Sequence, residues 1–163
     1  MKGQLLAFLL LFLVLGVKVH GKDDSYPIRE IPPELLINSN AVVRYENERF
    51  EIHDIRNATY SYRRAVTILN KKADAFSKVK VYYDGKSTVT SLEGAIYDKH
   101  GKLARKLKKS EVKDYSAFDG YSIIDDGRFK EAELNFPDYP YTIVFEYIVK
   151  QKNILRYPTW APL

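Results

Sequence analysis

The chain has 163 residues, 26 Lys plus Arg against 21 Asp plus Glu, and no Cys. Its length suits one domain, and the missing Cys excludes a disulfide scaffold, a Cys-ligated zinc site, a thiol nucleophile and a lipid-anchored bacterial N-terminus. Hydrophobic residues at 45% and charged residues at 29% are ordinary for a folded chain, whereas 13 Tyr beside 8 Phe and one Trp are not.

Residues 1–21 read as a secretory signal peptide. Lys2 gives a positive start, Leu5 to Leu15 is an unbroken apolar run, and Val19 and Gly21 are small enough for the −3 and −1 positions of a cleavage site. A spanning helix needs about 20 apolar residues, and Lys18 interrupts this run too early. Cleavage after Gly21 removes Lys2 and Lys18 and no acid, leaving 142 residues with 24 bases against 21 acids. The expected product is exported, periplasmic or extracellular, without a stable membrane anchor. Nucleic acid is not an expected partner.

Residues 22–40 form a polar, Pro-bearing arm. Pro32 and Pro33 before Glu34, Leu35 and Leu36 suit one short helical turn, and Leu35, Leu36 and Ile37 are the expected contacts with the domain. Residues 41–163 are the expected domain. From Ala41 the apolar pattern has period two, with Val43 and Tyr45 on one face and Phe50 and Ile52 on one face further along. Asp54 to Ala58 reads as a turn. In residues 59–70, Tyr60, Tyr62, Val66 and Ile68 share a parity that Arg64 interrupts. Lys71 to Asp74 reads as a polar loop, and residues 75–85 as a helical turn running into a strand or loop.

Residues 87–109 form a hairpin about the turn Asp98 to Gly101, with Leu103 and Leu107 at strand parity. Ser110 is the expected cap of one helical turn running to Asp114. Two further strands flank Asp125, Asp126 and Gly127. Residues 141–151 alternate, with Tyr141, Ile143, Phe145, Tyr147 and Val149 on one face. About eight short strands without a βαβ rhythm specify an all-β, antiparallel β-sandwich with one or two short helical turns.

Sites of chemistry are scarce. His53 and His100 fall at turns and lack ligand spacing. Asp125 and Asp126 serve a turn better than a calcium site, whose oxygens are spaced differently. Lys102, Arg105, Lys106, Lys108 and Lys109 could attract an anion, but fit the wet face of a surface strand, where lysine discourages edge pairing. Asn57, Ala58 and Thr59 match a glycosylation sequon of low specificity. No Gly-x-Ser-x-Gly elbow or Gly-rich phosphate loop occurs. The expectation is no enzyme, no catalytic residue, no metal and no cofactor. Most Tyr residues lie in strands and read as packing. The group Tyr139, Tyr141, Tyr157 and Trp160, among Pro137, Pro140 and Pro158, reads as a candidate interface.

The runs AVVRYENERFEI, ATYSYRRAVTILN, GAIYDKHGKLARKLKKSEVKDYSAFDG and FPDYPYTIVFEYIVKQKNILRYPTWAP together resemble one family. It is the domain of unknown function that precedes a transglutaminase-like domain in secreted Bacteroidetes proteins. The resemblance covers residues 31–162. It implies an immunoglobulin-like sandwich followed, in longer relatives, by a papain-like transglutaminase or peptidase domain with Cys, His and Asp, and then a further β domain. With no Cys here, those catalytic residues transfer to no position. The apolar, aromatic ending from Tyr157 to Leu163 suits a chain that continues into another domain, or that binds a separately encoded one. Two functions follow as expectations. One is a non-catalytic accessory module packed on a transglutaminase-like domain. The other is a stand-alone cell-envelope module that binds glycan through surface Tyr and Trp.

Overall fold

β-branched and aromatic residues dominate the runs that pair as strands. A computed structural model describes residues 24–117 and 126–152. Residues 1–21, read as a signal peptide, and Asp125, Tyr157 and Trp160 lie outside the described residues.

Eight strands are described: β1 Ala41–Asp54, β2 Asn57–Ile68, β3 Lys78–Tyr83, β4 Ser87–Tyr97, β5 Leu103–Lys106, β6 Lys113–Ser116, β7 Arg128–Glu133 and β8 Tyr141–Lys152. All pairings are antiparallel. They form a five-stranded sheet, β1-β2-β8-β4-β5, and a three-stranded sheet, β3-β7-β6. The expected all-β sandwich is therefore present, with short 3-10 helices at Ile28–Glu30, Pro33–Leu35, Lys71–Ser77 and Lys109–Glu111.

The main core lies between the sheets. Val66 and Ile68 of β2, Ile96 of β4, and Tyr141, Ile143 and Phe145 of β8 meet Ala132 of β7, Leu134 and Ala73. A second inner cluster joins Val81, Val89 and Val149, flanked by Tyr60, Tyr83 and Tyr147. The alternation read along residues 141–151 is this inner face. Yet all five residues from Tyr141 to Phe145 are buried, because the opposite face is covered as well. There Ala65, Tyr97 and Val144 pack beneath Tyr26. Thr67 and Thr142, paired in register, satisfy one another on that face through a 2.8 Å hydroxyl contact, as buried polar atoms must.

The cover is the N-terminal arm, and it docks by other residues than expected. Tyr26 meets Tyr97 edge-on at 5.3 Å. Ile28 N–H donates to Lys99 O at 3.1 Å, the Ser25 hydroxyl donates to Gly101 O at 3.2 Å, and Asp24 pairs with Arg63. Pro27 and Ile31 are buried, whereas Leu35 and Ile37 are 48% and 68% exposed. The Leu35–Ile37 anchor is thus corrected: this stretch is a surface turn leading to Asn38, whose φ is +57°.

Three local expectations also change. Val43 pairs with Val66 and Tyr45 with Ala65, with a register shift between them. The bulge at Arg44 therefore sends Val43 and Tyr45 to opposite faces. Lys71 to Asp74 is not a loop but the start of a 3-10 helix, since the Asn70 side chain accepts from Lys72 N–H at 3.0 Å. The Lys109–Glu111 turn is capped at Lys108, whose N–H donates to the Glu111 carboxylate at 2.8 Å, so Ser110 sits inside the turn rather than capping it.

Arg64, the interruption in β2, points to the inner face beside Val66. Its guanidinium lies 5.5 Å from the Phe76 ring centroid, a stacked position that keeps a charge in a mostly apolar layer.

Candidate functional site

The expected aromatic group divides. Tyr141, at the start of β8, is 1% exposed and belongs to the core; burial pushes its phenol up to about 12. It is a packing residue, not an interface residue. Tyr139 is 37% exposed. Its ring lies 5.5 Å from that of Tyr141, and its hydroxyl donates to the Asp74 carboxylate at 2.5 Å, which raises the phenol's pKa.

The other singled-out residues do structural work. His53 Nε2 lies 2.8 Å from the Thr59 hydroxyl on the exposed β1–β2 hairpin. Asn57 donates to Asp54 at 2.8 Å within that hairpin. His100 and Lys102 each donate a backbone N–H to Asp98 at 2.9 Å. Those amides, Lys102 foremost, hold the Asp98 carboxyl below the usual carboxylate range. Asp126 accepts from Gly85 N–H at 2.9 Å. Among the described residues no three His, Asp or Glu side chains gather as a metal site would need. In the basic run, Arg105 pairs with Glu111, and β5 is an edge strand, the position where exposed lysine deters edge pairing.

Three surfaces among the described residues bear on function. A cleft of about 620 Å³ opens between β4 and the β6–β7 edge, lined by Leu92, Glu93, Lys106, Lys109, Asp114 and Lys130 among others. Its mixed charges favour no one sign of ligand. Beside it Asp114 accepts from the Tyr83 hydroxyl at 2.6 Å and from Arg128 Nε at 3.0 Å. The Tyr83 bond is the larger influence holding the Asp114 carboxyl low.

On the inner face of β1, β2 and β8, Tyr62 donates to Glu46, and the Tyr147 ring lies 6.0 Å from Tyr60 and 5.1 Å from Tyr62. Burial raises all three phenols. These tyrosines extend the core with polar ends turned to the glutamates; they remain protonated at neutral pH.

The third surface is the outward face of the three-stranded sheet. Tyr82, Phe129 and Tyr115 stand side by side there, ring centroids 5.5 Å and 5.3 Å apart. Sequence reasoning passed over them because residues 75–85 read as a helical turn running into a strand or loop, and Tyr115 fell just past the helical turn read at Ser110 to Asp114. The available signal was Tyr82, opposite in parity to Val79, Val81 and Tyr83: an aromatic on the face that the apolar alternation leaves outside.

A family model for a domain of unknown function with a solved structure, DUF3857, matches residues 56–158. The chain belongs to the DUF3857 family. The matched segment runs from the β1–β2 turn past β8. β1 lies upstream of it but is joined by a ladder from Ala41↔Ile68 to Asp54↔Asn57, so the folded unit is wider than the family match. No curated protein matches the chain by sequence. Among solved structures, the DUF3857 chain is similar to a crystal structure of a candidate protease from Parabacteroides distasonis ATCC 8503, with a TM-score of 0.59 and 14% identity. The likeness covers 70% of this chain but 23% of that one; at this identity it concerns the fold.

Proposed function

We propose that this DUF3857 domain is a non-catalytic, secreted accessory module whose working position is against a transglutaminase-like, papain-like domain, in the same polypeptide or in a separate chain. The supporting observation is one of proportion: the sandwich corresponds to 23% of a chain named as a candidate protease, so that protein devotes most of its length to something else. A chain with no Cys cannot itself supply the thiolate that papain-like chemistry uses. Its contribution is instead to position or cover the partner.

Tyr139, exposed just before β8, and the downstream Tyr157 and Trp160 are the side chains assigned to that contact. Tyr and Trp are the residue types that dominate interface energetics. The test is titration calorimetry of the exported protein with a purified transglutaminase-like domain encoded by the same genome. The expected result is a one-to-one complex that Tyr139→Ala and Trp160→Ala each weaken about tenfold. Absence of association at about 0.1 mM overturns the reading. Export has its own check: the mature protein is expected to begin at Lys22, and an intact Met1 retained on membranes contradicts it.

A further inference from the structure

Tyr82 on β3, Phe129 on β7 and Tyr115 on β6 are direct cross-strand partners, with ring planes inclined at 47° and 34° along the row. Tyr82 is 64% and Tyr115 41% exposed. Cross-strand aromatic pairs stabilise a sheet by themselves, which accounts for their register. It does not account for two large rings left in water at both ends of the row, where burial energy is forgone.

The surroundings narrow what such a row can bind. Most of the adjacent charges are paired: Lys80 lies 3.2 Å from Glu131 and Lys78 3.3 Å from Glu133, and Lys113, opposite Glu131 on β6, adds one further base. Lys80 Nζ also sits 4.9 Å from the Phe129 centroid. Aromatic rows on sheets can stack nucleic acid bases, but such surfaces need several unpaired basic residues for the phosphates, and here Lys78 and Lys80 are committed to carboxylates, leaving Lys113 opposite Glu131 as one base beside the row. A stable protein partner needs about 800 Å² per side, whereas three rings span two strand spacings, about 10 Å. Neither the Tyr82 nor the Tyr115 hydroxyl has a hydrogen-bond partner among the described residues. The row thus offers aromatic surface, phenol hydroxyls at both ends and a rim of mixed charge that supplies donors and acceptors. A chain of pyranose rings is complementary to this, with C–H faces to stack and equatorial hydroxyls to hydrogen-bond.

We propose that the Tyr82–Phe129–Tyr115 row is a binding platform for an uncharged polysaccharide. The rings stack on sugar faces, and the two phenols with Lys80 and Glu131 hydrogen-bond the hydroxyls. This site shares no residue with the partner contact built on Tyr139, so either can fail without the other.

The test is affinity electrophoresis of the mature protein through gels holding laminarin, hydroxyethyl cellulose, galactomannan, xyloglucan or soluble starch. Retardation by at least one is expected, unchanged in about 0.5 M NaCl because no ionic attraction is involved. Tyr82→Ala with Tyr115→Ala is expected to weaken it about tenfold or more, and Tyr82→Phe less, since stacking is kept. Circular dichroism verifies the fold of each variant; should the double variant unfold, Tyr82→Ala alone is read. No retardation in any gel, retardation insensitive to these substitutions, or retardation abolished by salt overturns the proposal.

Discussion

Gly101 shows how one residue ties two parts of the molecule. It closes the Asp98–Gly101 turn with its N–H on Asp98 O at 2.9 Å and a φ of +81°, a conformation that glycine adopts at little cost. A Cβ there would stand 2.6 Å from Ser25 Oγ and 2.7 Å from Pro27 N, so the same position admits the arm. Gly101→Ala is expected to destabilise the fold by about 1–3 kcal/mol and to loosen the arm. Urea denaturation reads the first effect, and faster tryptic cleavage at Arg29 the second. The turn was legible in the sequence, because Asp followed three residues later by Gly is turn chemistry. That the arm presses on it was not, since no local pattern encodes a contact between residues 25 and 101.

At the scale of elements, the arm and β1 mark the limit of reading by periodicity. Leu35, Leu36 and Ile37 form the more apolar run, yet Tyr26, Pro27 and Ile31 do the packing. What selects them is the shape of the outer sheet face, where Ala65 and Val144 leave room beside Tyr97 for one ring. Tyr26→Ala is accordingly expected to cost about 2–4 kcal/mol. Leu35→Ala and Ile37→Ala should stay within about 0.5 kcal/mol of the parent. Urea midpoints at unchanged m decide, and equal effects at all three positions would contradict this placement of the arm. In β1 the bulge at Arg44 inserts one residue and reverses parity, which a strict period-two reading cannot anticipate. Arg44 itself pairs with Glu30 at 3.7 Å, so the irregular residue helps hold the arm.

For the whole molecule, the tyrosine excess becomes a statement about pH. Tyr26, Tyr60, Tyr62, Tyr141 and Tyr147 all have raised folded pKa values, in each case chiefly because burial disfavours the phenolate. The unfolded chain releases these protons near pH 10 while the folded chain retains them, so stability falls as pH rises above about 10. For Tyr141 the fall extends to its folded value of about 12. Below pH 10 both states are protonated and these groups add no slope. Melting temperature is expected to be flat with respect to these groups from pH 8 to about 9.5 and to drop steeply beyond. Absorbance at 295 nm should show part of the tyrosine titrating only as the protein unfolds; full ionisation of a still-folded chain at about pH 10.5 would refute it.

Alternation, turn residues and the absence of Cys by themselves determined that this chain folds as an antiparallel β protein and that no thiol chemistry resides in it. These follow from composition and from the two-residue pitch of a strand, which are local properties. The tertiary structure decided which aromatics are core and which are surface. It buried Tyr141, left Tyr139 half exposed, and aligned Tyr82, Phe129 and Tyr115 from three strands as far apart in sequence as residues 82 and 129. Strand order and register bring such residues together, and both are set by the packing of one sheet on the other rather than by any single segment.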